Sequence, residues 1–193
     1  MMATPDLRIE AEVRPLRADA RRNRERIIEA ARAVFAEHGI DAQMDDVARA
    51  AKVGVGTVYR HFPAKDQLLA SLLAARFASF ADMARASLEV EDPWEALAGY
   101  LRTSTEAMNA DAGVRETLAR RSDLVDMCPG EKAGLRELND VVVGRARDAR
   151  VVRADAHGDD IPLIARSVCG AMGVPDLDWR RLLEIALDGL RAR

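Results

Sequence analysis

Thr57, Tyr59, Arg60, His61 and Lys65 place two hydroxyls, a guanidinium, an imidazole and an ammonium within nine residues. Their spacing fits no nucleophile with its base and no phosphate-binding loop. What such groups can do together is meet a regularly spaced anionic surface. A tyrosine hydroxyl and a lysine ammonium reach phosphate oxygens, arginine and histidine add donors, and a threonine methyl can touch a thymine methyl.

Those side chains need a helix that presents them. Residues 43–65, QMDDVARAAKVGVGTVYRHFPAK, read as two short helices joined by a tight turn. Met44, Val47, Ala48 and Ala51 recur at offsets of three, four and seven, one face of a 3.6-residue period. Asp45 and Asp46 sit in the first turn, where negative charge suits the helix dipole. Lys52-Val53-Gly54 is the turn and Val55 to Phe62 the second helix. Val53 and Val58 are its anchors toward a third helix, and Ala48 is small enough for a close crossing. Gly56 weakens an ordinary helix by about 1 kcal/mol against Ala, yet it leaves a bare spot where a backbone or base edge can approach. This layout suits a helix laid in the major groove of DNA.

GVGTVYRHFPAKDQLL, with RIIEAARAVFAEHGIDAQMDDVARAA before it, resembles the signature of TetR-type transcriptional regulators over residues 21–70. The resemblance implies that Thr57, Tyr59, His61 and Lys65 contact DNA and that Val55 and Gly56 form the exposed start of the reading helix. Tyr59 and Lys65 would meet phosphates, and Thr57 a base or a phosphate. Arg60, Lys52, Gln43 and Arg22 complete the expected DNA-binding set. Two positions depart from the family pattern. Gln43 stands where a Ser or Thr caps the first helix, a poorer cap. Lys52 and Gly54 replace the family's Gly and following Ser, so Lys52 is expected either to adopt a left-handed conformation, at about 1–2 kcal/mol, or to sit in a slightly different turn.

The 193 residues have 49% hydrophobic content but only 4% aromatic, and a net charge of −3. Ala, Leu, Arg and Glu dominate, and alternating β-branched runs are lacking, which predicts an all-α fold. Charge is divided: residues 14–65 hold eleven Lys/Arg against seven Asp/Glu, and residues 67–193 seventeen against twenty-one. Positive charge therefore gathers where the reading helix lies. Cys128 and Cys169 lack metal-like spacing, so no metal or cofactor is expected; reduced thiols in the cytoplasm are. Cys169 reads as a small buried apolar residue and Cys128 as near a loop. No run is long and apolar enough for a membrane span.

Three segments are expected: a mobile arm at 1–17, a three-helix bundle with a helix-turn-helix at 18–66, and a helical ligand-binding and dimerisation domain at 67–193. Arg14, Arg17, Arg21, Arg22 and Arg24 form either a solvated helix start or an arm that reaches the DNA backbone or minor groove. Helix 19–38 carries the stripe Ile27, Ile28, Ala31, Val34 and Phe35, and ends at Gly39 with His38 in its last turn. A long helix from Pro63 to about Leu88 follows. In the resembling family it links the reading head to the rest. Further helices are expected at 94–109, 113–124, 131–152, 160–172 and 179–191, with a turn at Met127-Cys128-Pro129-Gly130.

RADAHGDDIPLIARSV and DWRRLLEIALDGLRAR resemble the C-terminal halves of SbtR-like TetR-type proteins. Ile161, Ile164, Val168, Leu182, Ile185, Ala186 and Gly189 are expected to pair with a second copy as a four-helix bundle; burial within one subunit is the plain alternative. Leu101, Thr105, Met108, Leu118, Leu138, Val142 and Cys169 are candidates for an effector pocket, with core packing as their plain alternative. The resulting expectation is a homodimeric repressor, released from an inverted-repeat operator on double-stranded DNA by a largely apolar small molecule. A helical protein-interaction adaptor and an enzyme are the alternatives. The three histidines lie in a helix end, the reading helix and a loop, which gives the enzyme reading little support.

Overall fold

A computed structural model describes the backbone of residues 7–192 and the side chains of residues 19–192. It is all-α, with helices α1 (Leu7–His38), α2 (Met44–Ala51), α3 (Val55–His61), α4 (Lys65–Leu88), α5 (Pro93–Asn109), α6 (Ala112–Arg120), α7 (Pro129–Asp148), α8 (Asp160–Ala171) and α9 (Trp179–Leu190), and a 3₁₀ turn at Ser122–Met127. Two compact units divide the chain, Met1–Leu68 and Leu69–Arg193. Among the described residues the only extended pairing is an isolated bridge between Val152 and Arg191.

In the first unit α1 packs on α2 and α2 on α3. Ile27, Ala31, Phe35, Val47, Val58 and Phe62 are all at most 2% exposed and fill the space between them. Gly39 ends α1 at φ 72°, the left-handed position that follows a helix. The helix begins at Leu7, twelve residues before the expected start at 19. Residues 7–17 of the expected arm are thus helical, while 1–6 lie outside the described residues. Pro15 and the lack of a periodic apolar stripe hid this extension.

In the second unit α5 contacts α6, α7 and α8, and α8 packs on α9. Asp92 caps α5 by accepting from the backbone N–H groups of Trp94 and Glu95 at 2.8 and 2.9 Å, and Pro93 opens the helix where its missing N–H costs nothing. The same logic corrects the next junction. Pro129-Gly130, expected as a turn, is the first turn of α7, because a proline at the first helical position starts a helix as readily as it stops one. α6 ends at Arg120, short of Leu124, which the 3₁₀ turn buries instead.

Asp111 has two tasks. One carboxylate oxygen accepts from Val114 N–H at 3.1 Å and caps α6; the other accepts from the Arg76 guanidinium of α4 in a pair whose side chains are 15% and 6% exposed. At Gly158 a β-carbon would lie 2.2 Å from Asp140 Oδ1 and 2.7 Å from its backbone nitrogen, so the loop after α7 passes the helix at backbone contact distance. Cys128 lies at the junction between the 3₁₀ turn and α7, near a loop as expected, but it is the more deeply buried of the two cysteines. Cys128 is 3% exposed and its thiol donates to Ala70 O at 3.2 Å; Cys169 is half-buried. Burial pushes both thiols above their ordinary range, and Glu131 adds to the effect at Cys128.

Candidate nucleic-acid interface

α2 exists to hold α3. Met44, Val47, Ala48 and Ala51 are buried, and the helix ends in a Schellman closure: Val53 N–H donates to Ala48 O at 3.1 Å and Lys52 N–H to Arg49 O at 3.2 Å. Lys52 occupies the left-handed position at φ 55°, ψ 45°, the first of the two turn geometries the sequence left open. At the other end Gln43, expected to be a poorer cap than Ser or Thr, belongs to a capping box with Asp46. Its backbone N–H donates to Asp46 Oδ2 at 3.0 Å, half of a capping box, while its side-chain amide turns to Asp41 O at 2.8 Å. That N–H, and then Arg49, hold the Asp46 carboxyl below the usual range.

α3 is a short rod anchored by one residue. Val58 is fully buried, while Val55 is 41% and Tyr59 47% exposed. Gly56 and Arg60 are exposed, and Thr57 and His61 are half-buried. A β-carbon at Gly56 would meet nothing within 4 Å, so this part of the helix surface is bare. Lys65 begins α4 with its ammonium 5.9 Å from the centroid of the Phe35 ring. An apolar valine, a bare glycine, hydroxyls and cations thus share one projecting helix and its flank, the mixture that backbone positioning and base-edge contact require.

The flanking arginines divide. Arg22 is exposed and pairs with Asp19, and Arg21 with Glu25 at 3.5 Å, both along α1. Arg24 stacks on the Phe62 ring, 4.9 Å from its centroid. Arg26, which the sequence reading passed over, donates to Ala51 O at 2.7 Å. The side chains of Arg14 and Arg17 lie outside those described.

The expected pocket residues divide between buried and half-buried positions. Leu101, Thr105, Met108 and Val142 are at most 3% exposed, and the Thr105 hydroxyl donates back to Leu101 O at 2.7 Å. Leu118, Leu138 and Cys169 are half-buried. A cavity of about 380 Å³ lies elsewhere in the second unit, between α4 and α7, lined by Phe77, Ala81 and Leu135 with Asp82, Arg85 and Glu131. None of the seven lines it. Its lining residues carry no special pattern in the sequence; only the approach of two helices brings them together.

The expected dimer residues also divide. Ile161 and Val168 are buried within the chain, 4% and 0% exposed. Ile164 and Ala186 are half-buried, and Gly189 is exposed. Leu182 and Ile185 are 37% and 52% exposed, and Leu163, which was overlooked, is 64% exposed. α8 has two faces, and Ser167 beside Leu163 hid the apolar character of the outer one.

Residues 27–72 match the family described as bacterial regulatory proteins, tetR family, and residues 92–192 match the SbtR-like transcriptional regulator C-terminal domain. The chain is similar to the HTH-type transcriptional repressor KstR of Mycolicibacterium smegmatis, 34% identical over 129 residues that cover 65% of this chain and 63% of that protein. It spans less than two thirds of the length of the curated relatives it matches. Among solved structures, the TetR transcription regulatory protein from Mycobacterium vanbaalenii is 36% identical with a TM-score of 0.66, covering 92% of this chain and 100% of that one. The transcriptional regulator FadR from Bacillus subtilis, solved in complex with stearoyl-CoA, shares the fold at 20% identity and a TM-score of 0.68, over 86% of this chain and 99% of that one.

Proposed function

This chain belongs to the TetR family of bacterial regulatory proteins, with an SbtR-like C-terminal domain, and from that premise we propose that it is a homodimeric, effector-released transcriptional repressor acting in the cytoplasm. Residues 18–66 form the DNA-reading head and 67–193 the effector-binding and dimerisation part. The observation that carries the reading is the exposed face of α3, with Val55, Gly56 and Tyr59 outward on a buried Val58.

Two copies related by a twofold axis place two such helices in successive major-groove faces, about 34–36 Å apart, so the operator is an inverted repeat. Tyr59 and Lys65 contact phosphates, Thr57 a base or phosphate, and Arg60, His61, Lys52, Gln43 and Arg22 add donors along the backbone. The exposed Leu163, Leu182, Ile185 and Gly189 of α8 and α9 supply the dimer contact. The effector is largely apolar and occupies the α4–α7 cavity, resting on Phe77, Ala81 and Leu135. It releases DNA only to the extent that it binds the non-reading conformation more tightly. The stearoyl-CoA bound by the fold neighbour supports an effector with apolar character.

A gel shift on DNA flanking the chain's own gene, repeated across a salt series, tests this. Affinity is expected to fall steeply with salt. Tyr59→Phe is expected to weaken binding about three- to tenfold, as for one lost hydrogen bond, without moving the melting temperature. A stable dimer that shifts no fragment would instead favour a helical adaptor.

A further inference from the structure

Resting on that reading, we propose that Arg26 is a positioning residue of the DNA-reading head: from α1 it holds the carbonyl of Ala51 and thereby sets the turn that aims α3. Its guanidinium Nη2 donates to Ala51 O at 2.7 Å in a part-buried bond. Ala51 is the last residue of α2 and immediately precedes left-handed Lys52. The final carbonyls of a helix have no partner within it. Here α1 supplies one, and the donor is charged, which makes the bond stronger than a neutral one.

The position matters because α3 is a seven-residue helix packed on α2. Whatever fixes the end of α2 fixes the start of α3, four residues on. Arg24, two residues before Arg26, stacks on the ring of Phe62, the residue that closes α3. One stretch of α1 therefore grips the last residue of α2 and the residue closing α3. The Arg26 guanidinium is engaged within the protein, by Ala51 O through Nη2 and by Asn23 Oδ1 at 3.5 Å through Nη1, and the proposed role needs no phosphate contact, unlike those proposed for Lys65 and Tyr59.

The test is operator affinity and its salt dependence for Arg26→Gln and Arg26→Lys, alongside amide exchange of Val53. Arg26→Gln is expected to weaken binding about tenfold, as befits a lost charge-assisted bond. It should leave the slope of log affinity against log salt unchanged and speed exchange of Val53 N–H, whose Schellman bond depends on the held turn. Arg26→Lys is expected to recover part of the affinity. In a Lys52→Gly background, where the turn is relaxed, the Arg26→Gln loss is expected to shrink. Affinity equal to the parent's, a slope shallower by about 0.9, which marks a lost phosphate contact, or strict additivity with Lys52→Gly would each overturn the proposal. A parent protein that binds no operator while Val53 exchange still responds to Arg26→Gln would sink the DNA reading alone.

Discussion

At Lys52 two demands on one residue pull apart. A left-handed backbone costs a residue with a β-carbon about 1–2 kcal/mol, and glycine would be free of that cost at φ 55°. The ammonium, however, stands exposed in the turn between α2 and α3. Lys52→Gly is therefore expected to raise unfolding stability by about 1 kcal/mol, read by denaturant titration. The same change should lower operator affinity and make the salt slope shallower by about 0.9. Asp46 gives a pH counterpart. Its folded-state carboxyl titrates below the unfolded value because Gln43 N–H and Arg49 favour the anion. Its contribution is thus present above pH ~4 and lost as pH falls through the lowered value. The melting-temperature difference between the protein and Asp46→Asn is expected to be full at neutral pH and to vanish in stronger acid. At this scale the groove-facing residues were legible, since a helix period fixes which side chains share a face. The closure at Gln43 was not, because Asp46 reaches back to the Gln43 N–H from three residues on.

Elements were legible where an apolar stripe and a terminal signal agreed. α3 and α5 came out within one residue of expectation, since Val58 or Leu97 set the face and Phe62 or Asp92 the end. They failed where one residue type has two meanings. Pro129 opens a helix, and Pro15 lies within one. No stripe predicts the Arg76–Asp111 pair either, for its partners are 35 residues apart in sequence. Asp111→Ala removes the cap of α6 and strands the Arg76 charge in a part-buried site. Loss of one partner of a buried pair costs about 3–5 kcal/mol, so this variant is expected to melt well below the parent in calorimetry, and Arg76→Ala to do the same. Asp111→Asn, which retains a capping oxygen, should fall between the parent and Asp111→Ala.

For the molecule as a whole, the division of charge along the chain and its helical composition were readable at once, because both are sums over many residues. The cavity between α4 and α7 and the outward face of α8 were not, because each arises from how helices approach one another. Leu163, Leu182 and Ile185 leave apolar surface in water beside the small Gly189. Ile185→Lys is expected to leave the helices intact by circular dichroism and to halve the mass in sedimentation. Affinity for an inverted repeat should drop by about 10² or more, as the second head no longer benefits from tethering. A variant that still sediments with the parent would place the interface elsewhere.

Cys128 lies 3% exposed with its sulfur turned to the carbonyl of Ala70, at the junction of α4 and α7. A thiolate is the reactive species, and burial disfavours it here. In the native fold a maleimide dye therefore finds this sulfur closed to it, and uptake of label at Cys128 becomes a clock for separation of those two helices. The protein carries its own stopwatch for opening, with no foreign probe to engineer in.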